Sequence, residues 1–218
     1  DPESYLIELD VQMDNVLERG ITEYRLVLQS WPLITETNVS EDQRYLQVVS
    51  RVGSDIKRDK FGDLRKKGPR RHDGAIGWTA VSSKYFAVAA VPAQASAKTS
   101  YSSSLEFPPG VSIDGEPIPT DRVRGGMVLP VPPPNHVHHF KIYAGPNDYW
   151  LLKDAGYNLQ DEVDLGWRWL LPFSRAILQV MLFLSDYIPN FGVVIIVLSL
   201  LVKVVFHPLT AASMKSMR

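Results

Sequence analysis

Lys203 stands inside the run Phe191 to Phe206 and is its only charged residue. A charge held in hydrocarbon costs at least about 2.5 to 3.5 kcal/mol on insertion scales, so a chain that places one there must offset it. On a helix Gly192, Ser199, Lys203 and Thr210, spaced by seven, four and seven, share one face. That face is a small, polar stripe on an otherwise apolar rod, and it predicts a water-filled groove. The same residues allow a second reading, in which Lys203 lies near one end of the span and its stem carries the ammonium out to the headgroups.

Two further groups invite chemistry. His136, His138 and His139 are close in sequence, but no carboxylate or third ligand accompanies them at a recognisable metal spacing, which argues against a metal centre. Lys66-Lys67-Gly68-Pro69-Arg70-Arg71 could touch an anionic surface, yet a run of this kind is far more often a solvated loop. Neither G-x-S-x-G, H-E-x-x-H, a P-loop nor a dinucleotide fingerprint occurs, so no enzymatic reading and no cofactor has residues to stand on.

The chain has 218 residues and a net charge of −1, with no cysteine. A disulfide framework, a thiolate metal site and a cysteine nucleophile are thereby excluded, and the balance is far from that of a nucleic-acid binder. Charge is unevenly spread: between Trp167 and Phe206 only Arg168, Arg175, Asp186 and Lys203 are charged, so two solvents are implied. The chain opens on Asp1-Pro2-Glu3-Ser4 instead of a methionine and a leader, and is expected to start inside something larger or to have been processed.

Positioning such a stripe requires two kinds of element. Residues 1–160 read as an antiparallel β-sandwich. Tyr5, Ile7, Leu9, Val11 and Met13 alternate with mostly polar residues as on a half-buried strand, and further strands are expected over 23–29, 45–51, 77–92, 97–107 and 137–144. A hairpin turn is expected at Ile113-Asp114-Gly115-Glu116, and a stiff extended linker at Pro130 and Pro132 to Pro134. Within 161–189 the period changes: Arg168, Arg175, Gln179 and Asp186 are spaced by seven, four and seven and form one stripe on an apolar helix. Its uncharged run is too short to span, so a helix lying in the membrane interface is expected, with Pro172 kinking it or marking its first turn and Trp167, Trp169 and Tyr187 at headgroup depth. Residues 190–207 read as one transmembrane helix, and 208–218 as the start of a cytoplasmic region because Lys215 and Arg218 follow the span.

Three blocks are familiar. Gly77-Trp78-Thr79-Ala80-Val81-Ser82-Ser83-Lys84-Tyr85-Phe86, closing at Val91-Pro92, resembles a strand of the periplasmic domain of YidC membrane protein insertases. Tyr143-Ala144-Gly145-Pro146 and Val163-Asp164-Leu165-Gly166-Trp167 resemble that family's approach to its interfacial helix. Asn190-Phe191-Gly192, the Ile/Val-rich span and Pro208-Leu209-Thr210 resemble its first core helix.

The resemblance implies a mutarotase-like supersandwich outside the membrane, with no mutarotase chemistry following from the fold alone. It implies location in the bacterial inner membrane, the large domain facing the periplasm, and a groove helix in which Lys203 matches the family's positive residue and Ser199 the small hydroxyl four before it. Many members have arginine there, and lysine lacks the guanidinium fork. Nascent membrane protein segments and the lipid bilayer are the implied partners, with the Sec translocation channel as a further one and no nucleic acid. An anchor upstream and more core helices downstream are implied too. The alternative reading is a membrane-anchored periplasmic carbohydrate-binding sandwich, which would need a concave face lined by aromatics and carboxylates.

Overall fold

The computed structural model describes residues 5–29, 39–93, 97–105, 110–111, 117–118, 122–134, 136–164 and 171–215, and in the last helix the side chains of 191–204 and His207. The chain divides into two compact units, Asp1–Val163 and Asp164–Arg218.

The first unit is mainly β. Its elements are β1 (Leu6–Gln12), β2 (Glu23–Gln29), α1 (Val39–Tyr45), β3 (Gln47–Val52), β4 (Asp55–Lys60), α2 (Phe61–Lys67), β5 (Arg70–Ser82), β6 (Phe86–Pro92), β7 (Ala97–Leu105), β8 (Gly110–Val111), β9 (Pro117–Ile118), β10 (Arg122–Pro130), β11 (Val137–Pro146), α3 (Tyr149–Asp154) and a 3-10 turn at Leu159–Glu162. Nine strands form one antiparallel sheet in the order β1-β11-β6-β5-β7-β10-β2, with β3 and β4 added beside β5. The short pair β8 and β9 stands apart; the turn expected between them, Ile113 to Glu116, lies outside the described residues.

β5 organises the sheet because it changes partner along its length. Its first half, Arg70 to Ile76, pairs with β7, and its second half, Thr79 to Ser82, pairs with β6 while β3 runs along its other side. The register shifts between Asp73 and Ile76, around Gly74 at φ +147°, where an added Cβ would lie 2.6 Å from Val52 Cγ1. Such a bulge bends a sheet, and β10 and β2 come to face β3, β5 and β6. One core forms between them, built on Val48, Ile76, Val81, Ala90, Met127, Leu129 and Phe140 together with Phe61 and Leu64 of α2. Alternation sends Val49, Trp78, Ala80, Ala89, Val91 and Tyr143 to the opposite face, where Leu152 of α3 and Leu159 cover them. Asp59, 3% exposed, ties β4 to β5 and β7 by accepting from Ser102 Oγ at 2.6 Å and pairing with His72 Nε2 at 2.8 Å.

Several expectations change. The segment 77–92 is two strands joined by a turn at Ser83 to Tyr85, and β5 starts seven residues earlier, so Arg70 and Arg71 open a strand and Lys66 and Lys67 end α2 instead of lying in a loop. β10 was not foreseen, because Gly125 and Gly126 interrupt its pattern. Their backbone is needed bare: a Cβ on Gly125 would lie 2.4 Å from Val48 Cγ1, and one on Gly126 2.2 Å from the Leu26 carbonyl oxygen. β4, Asp-Ile-Lys-Arg-Asp-Lys, escaped for want of apolar residues. On β1 the apolar row is not half-buried as expected: Ile7 is 58% exposed, since among the described residues β1 is the last strand of the sheet and pairs with β11 alone. Tyr5 lies beside Tyr143 with ring centres 6.1 Å apart, and Val11 reaches the core.

The second unit holds α4 (Leu171–Tyr187) and α5 (Phe191–Lys215), which contact each other. Pro172 sits in the first turn of α4, the second of the two placements expected for it, where its missing N–H removes no helical hydrogen bond. Asn190 starts α5: its Oδ1 accepts from Gly192 N at 2.9 Å, and its carbonyl accepts from Val193 N and Val194 N. α5 runs past residue 207, the expected bound of the transmembrane segment, through Pro208 to Lys215. Among the described residues no helix is long and apolar enough to cross a membrane; in α5 the described apolar run ends at Val204, short of the roughly 20 residues a span requires.

Candidate functional site

On α5 the candidate stripe is open. Gly192, Ser199 and Lys203 are all exposed, and no ion pair to Lys203 occurs among the described residues. At about 100° per residue these three lie within roughly 40° of one another. Val194, which is fully buried, and the half-buried Val197 and Leu198 lie on the opposite side of the helix. α5 thus spends its buried side on apolar packing and leaves the polar stripe uncovered. The Ser199 hydroxyl donates to the Ile195 carbonyl at 2.7 Å, one turn back, so its proton is held by its own helix and its lone pairs remain as acceptors. Thr210 lies on the backbone of α5, and its side chain falls outside the described residues.

The flanks of the stripe are apolar and exposed: Ile196 is 62% and Val204 71% accessible, with Ile195 and Leu200 alike. A helix apolar on most of its circumference is stable only against another apolar surface, protein or lipid.

α4 has three faces. Ser174, Leu178, Met181 and Ser185, spaced by four, three and four, are half-buried, as is Ile188 just past the helix end. Arg175, Gln179 and Asp186 form the polar stripe that the sequence predicts, all exposed. Between these two lies an exposed apolar face of Ile177, Val180, Phe183 and Tyr187, the last 73% exposed with its ring centre 5.1 Å from that of Phe183. Trp167, Arg168 and Trp169 lie outside the described residues.

The end of the first unit carries a polar anchor that sequence reasoning missed. Glu162 is fully buried, and its Oε1 accepts from Gln47 Nε2 at 3.3 Å. Burial raises its carboxyl above the usual glutamate range, while Ser82, the Arg58 charge, Gln47 and Asn147 pull it back without prevailing. Arg58 donates through one nitrogen to the carbonyls of Asp161 at 2.6 Å and Glu162 at 3.0 Å, and Arg51 pairs with Asp161 at 3.2 Å. Asp148 caps α3 by accepting from Trp150 N and Leu151 N. Two strands therefore grip the segment that leads out of the β unit. Gln160-Asp161-Glu162 carries no local sign of burial, so only the fold reveals it.

The histidines are dispersed in their bonding. His138 Nδ1 lies 2.6 Å from Tyr24 Oη, His139 Nδ1 lies 2.6 Å from Asp10, and His136 Nδ1 lies 3.2 Å from the Pro134 carbonyl. Burial pushes the Tyr24 hydroxyl up to about 12 and lowers His138.

A curled antiparallel β unit followed by an amphipathic helix and a long apolar helix is the arrangement to compare with known proteins. A family model described as the YidC periplasmic domain matches residues 1–174, and the chain belongs to that family. It is 29% identical over 221 residues to the membrane protein insertase YidC of Prosthecochloris aestuarii, covering 99% of this chain and 36% of that protein. With the protein of the same name from Chlorobium limicola it shares 30% identity over 224 residues, and with that of Syntrophus aciditrophicus 28% over 218, again with 99% and 100% of this chain covered. The chain spans a little over a third of the length of these curated relatives.

Proposed function

We propose that this chain is the outer domain, interfacial helix and first groove helix of a membrane protein insertase, which inserts nascent membrane proteins and helps them fold. The observation that carries this reading is the placement on α5: the exposed Gly192, Ser199 and Lys203 lie opposite the buried Val194, between exposed apolar flanks. In this reading α5 crosses the bilayer. Its 25 residues reach about 37 Å at 1.5 Å per residue, enough for the roughly 30 Å hydrocarbon core. The apolar flanks meet lipid or neighbouring helices, and the stripe lines a hydrated groove.

The mechanism is physical and not covalent. An incoming chain must carry a polar, often acidic, outer segment across part of the bilayer, and each charge resists that transfer. Lys203 supplies a counter-charge in a wet groove, the backbone-held Ser199 oxygen supplies an acceptor, and Thr210 extends the stripe, so the barrier falls without a nucleotide. Apolar client segments then partition into lipid. A moderate attraction serves this better than a tight one, which would trap the client. α4 lies in the outer interface with Phe183 and Tyr187 toward acyl chains and Arg175 toward headgroups, joined by Trp167, Arg168 and Trp169. The inner membrane, with residues 1–160 in the periplasm, and cooperation with the Sec translocation channel belong to the same proposal.

The test is reconstitution of the complete protein with Lys203→Ala. Insertion of single-spanning clients with acidic outer segments should drop about tenfold, as expected if roughly 1.4 kcal/mol of groove stabilisation is lost. Wild-type insertion by the alanine protein would refute a role for the charge.

A further inference from the structure

The outward face of β5, β7, β10 and β2 is set apart by its charge. Two adjoining clefts of about 400 and 270 Å³ share Arg25, Arg71, Thr99 and Val128. Between them they are lined by five cations, Arg25, Arg70, Arg71, Lys98 and Arg124, and by one carboxylate, Glu23. Asp73 pairs with Arg71 and the buried Asp59 with Arg70, so the positive excess rests on Arg25, Lys98 and Arg124 against Glu23.

The cations are held by the sheet instead of waving from loops. Register sets Arg124 across from Ser103 and Gly126 across from Tyr101, while Arg71 pairs with Tyr101 on the other side. The Tyr101 ring lies over Gly126, where an added Cβ would be 2.7 Å from its hydroxyl, and the Arg25 guanidinium stacks 5.5 Å from the ring centre. Arg71 is fixed by Asp73 at 2.9 Å and donates to Thr99 Oγ1 at 3.3 Å. Arg70 reaches down to the buried Asp59 at 3.6 Å. Two donors remain unanswered: Arg124 Nε and the Tyr101 hydroxyl are buried and have no hydrogen-bond partner among the described residues. A buried donor left unbonded costs free energy, which a ligand oxygen that reached it would recover. A merely solvated basic surface would not place two such donors under the same arginines.

We propose that this cleft binds a phosphate group. Guanidinium forks match the tetrahedral oxygens of phosphate in pairs, and three of them around one opening, those of Arg25, Arg71 and Arg124, favour a dianion over a single carboxylate. Ser103 adds a hydroxyl at the rim, the Thr99 hydroxyl being donated to Asp73 at 2.7 Å, and Val128 with the Tyr101 ring gives an apolar wall for whatever carries the phosphate. The site lies entirely in the β unit and is independent of the groove on α5.

The test uses the full chain in dodecyl maltoside micelles. Inorganic phosphate and pyrophosphate are titrated calorimetrically, and in a second arm the micelles carry phosphatidic acid or phosphatidylcholine. Saturable binding is expected, weakened at least about tenfold in Arg25→Gln/Arg124→Gln and unchanged in Lys57→Gln, a β4 lysine outside the cleft. Arg71→Gln, whose side chain is 69% exposed, should also weaken it and serves if the double variant melts early. Binding of the soluble anions assigns the site to free phosphate compounds; retention on phosphatidic acid micelles alone, lost in the arginine variants, assigns it to a lipid headgroup. No saturable binding in either arm up to about 10 mM, or equal affinity in all variants, overturns the proposal.

Discussion

Glu162 is the residue at which burial and charge compete most directly. With its carboxyl raised, the unfolded chain releases a proton at a pH where the folded chain still holds it. The folded state then binds more protons than the unfolded one, so stability falls as pH rises from the usual glutamate range through the raised value. Glu162→Gln cannot ionise and keeps the Gln47 contact within reach. Its melting temperature should therefore lose less than that of wild type between about pH 4 and pH 7, and a constant difference across that range would count against a raised carboxyl. Nothing in Asp161-Glu162 told buried from solvated, since both are acidic and adjacent. Lys203 is the opposite case, because a lone charge in an apolar run is conspicuous in any fold.

Among the elements, β10 and α4 separate what periodicity reveals from what it hides. β10 breaks the strand pattern with two glycines, yet Val48 and the Leu26 carbonyl fill the space their side chains would need. Gly126→Ala should lower the urea midpoint by the equivalent of about 1 to 3 kcal/mol, as overpacking against backbone does, and an unchanged midpoint would show that the strands part easily. α4 announced its polar stripe at a period near 3.6, and the structure adds the division of its apolar residues into a packed row and an exposed row. In a chain ending at Pro189, which lacks α5, replacing Ile177, Val180 and Phe183 with serine should cut co-sedimentation with lipid vesicles about tenfold or more while leaving the β-sheet circular dichroism intact. Equal co-sedimentation would deny that the exposed row is a membrane face.

At the scale of the molecule, the two units differ in what their burial achieves. The β unit buries its core on both faces of one sheet, and among the described residues the second face is closed chiefly by α3 and the turn after it, through Leu152 and Leu159. A chain ending at Val163 should unfold in one cooperative transition with denaturant, whereas one ending at Asp148 should be several kcal/mol less stable, because Trp78 and Tyr143 lose their cover. Matching midpoints for the two truncations would mean that the terminal segment is ornamental. The strand composition, the amphipathic helix, the polar stripe around Lys203 and the likeness to YidC proteins were all legible from the amino acids alone. Period, composition and short motifs are local, and local pattern survives in a one-dimensional string. Only the tertiary structure decided that β5 changes partners, that the C-terminal segment of the β unit is clamped by Arg58 and Glu162, and that arginines from β2, β5 and β10 meet over Tyr101. Those contacts join residues far apart in the chain, and their free energy comes from burial and register that exist only once the sheet has closed.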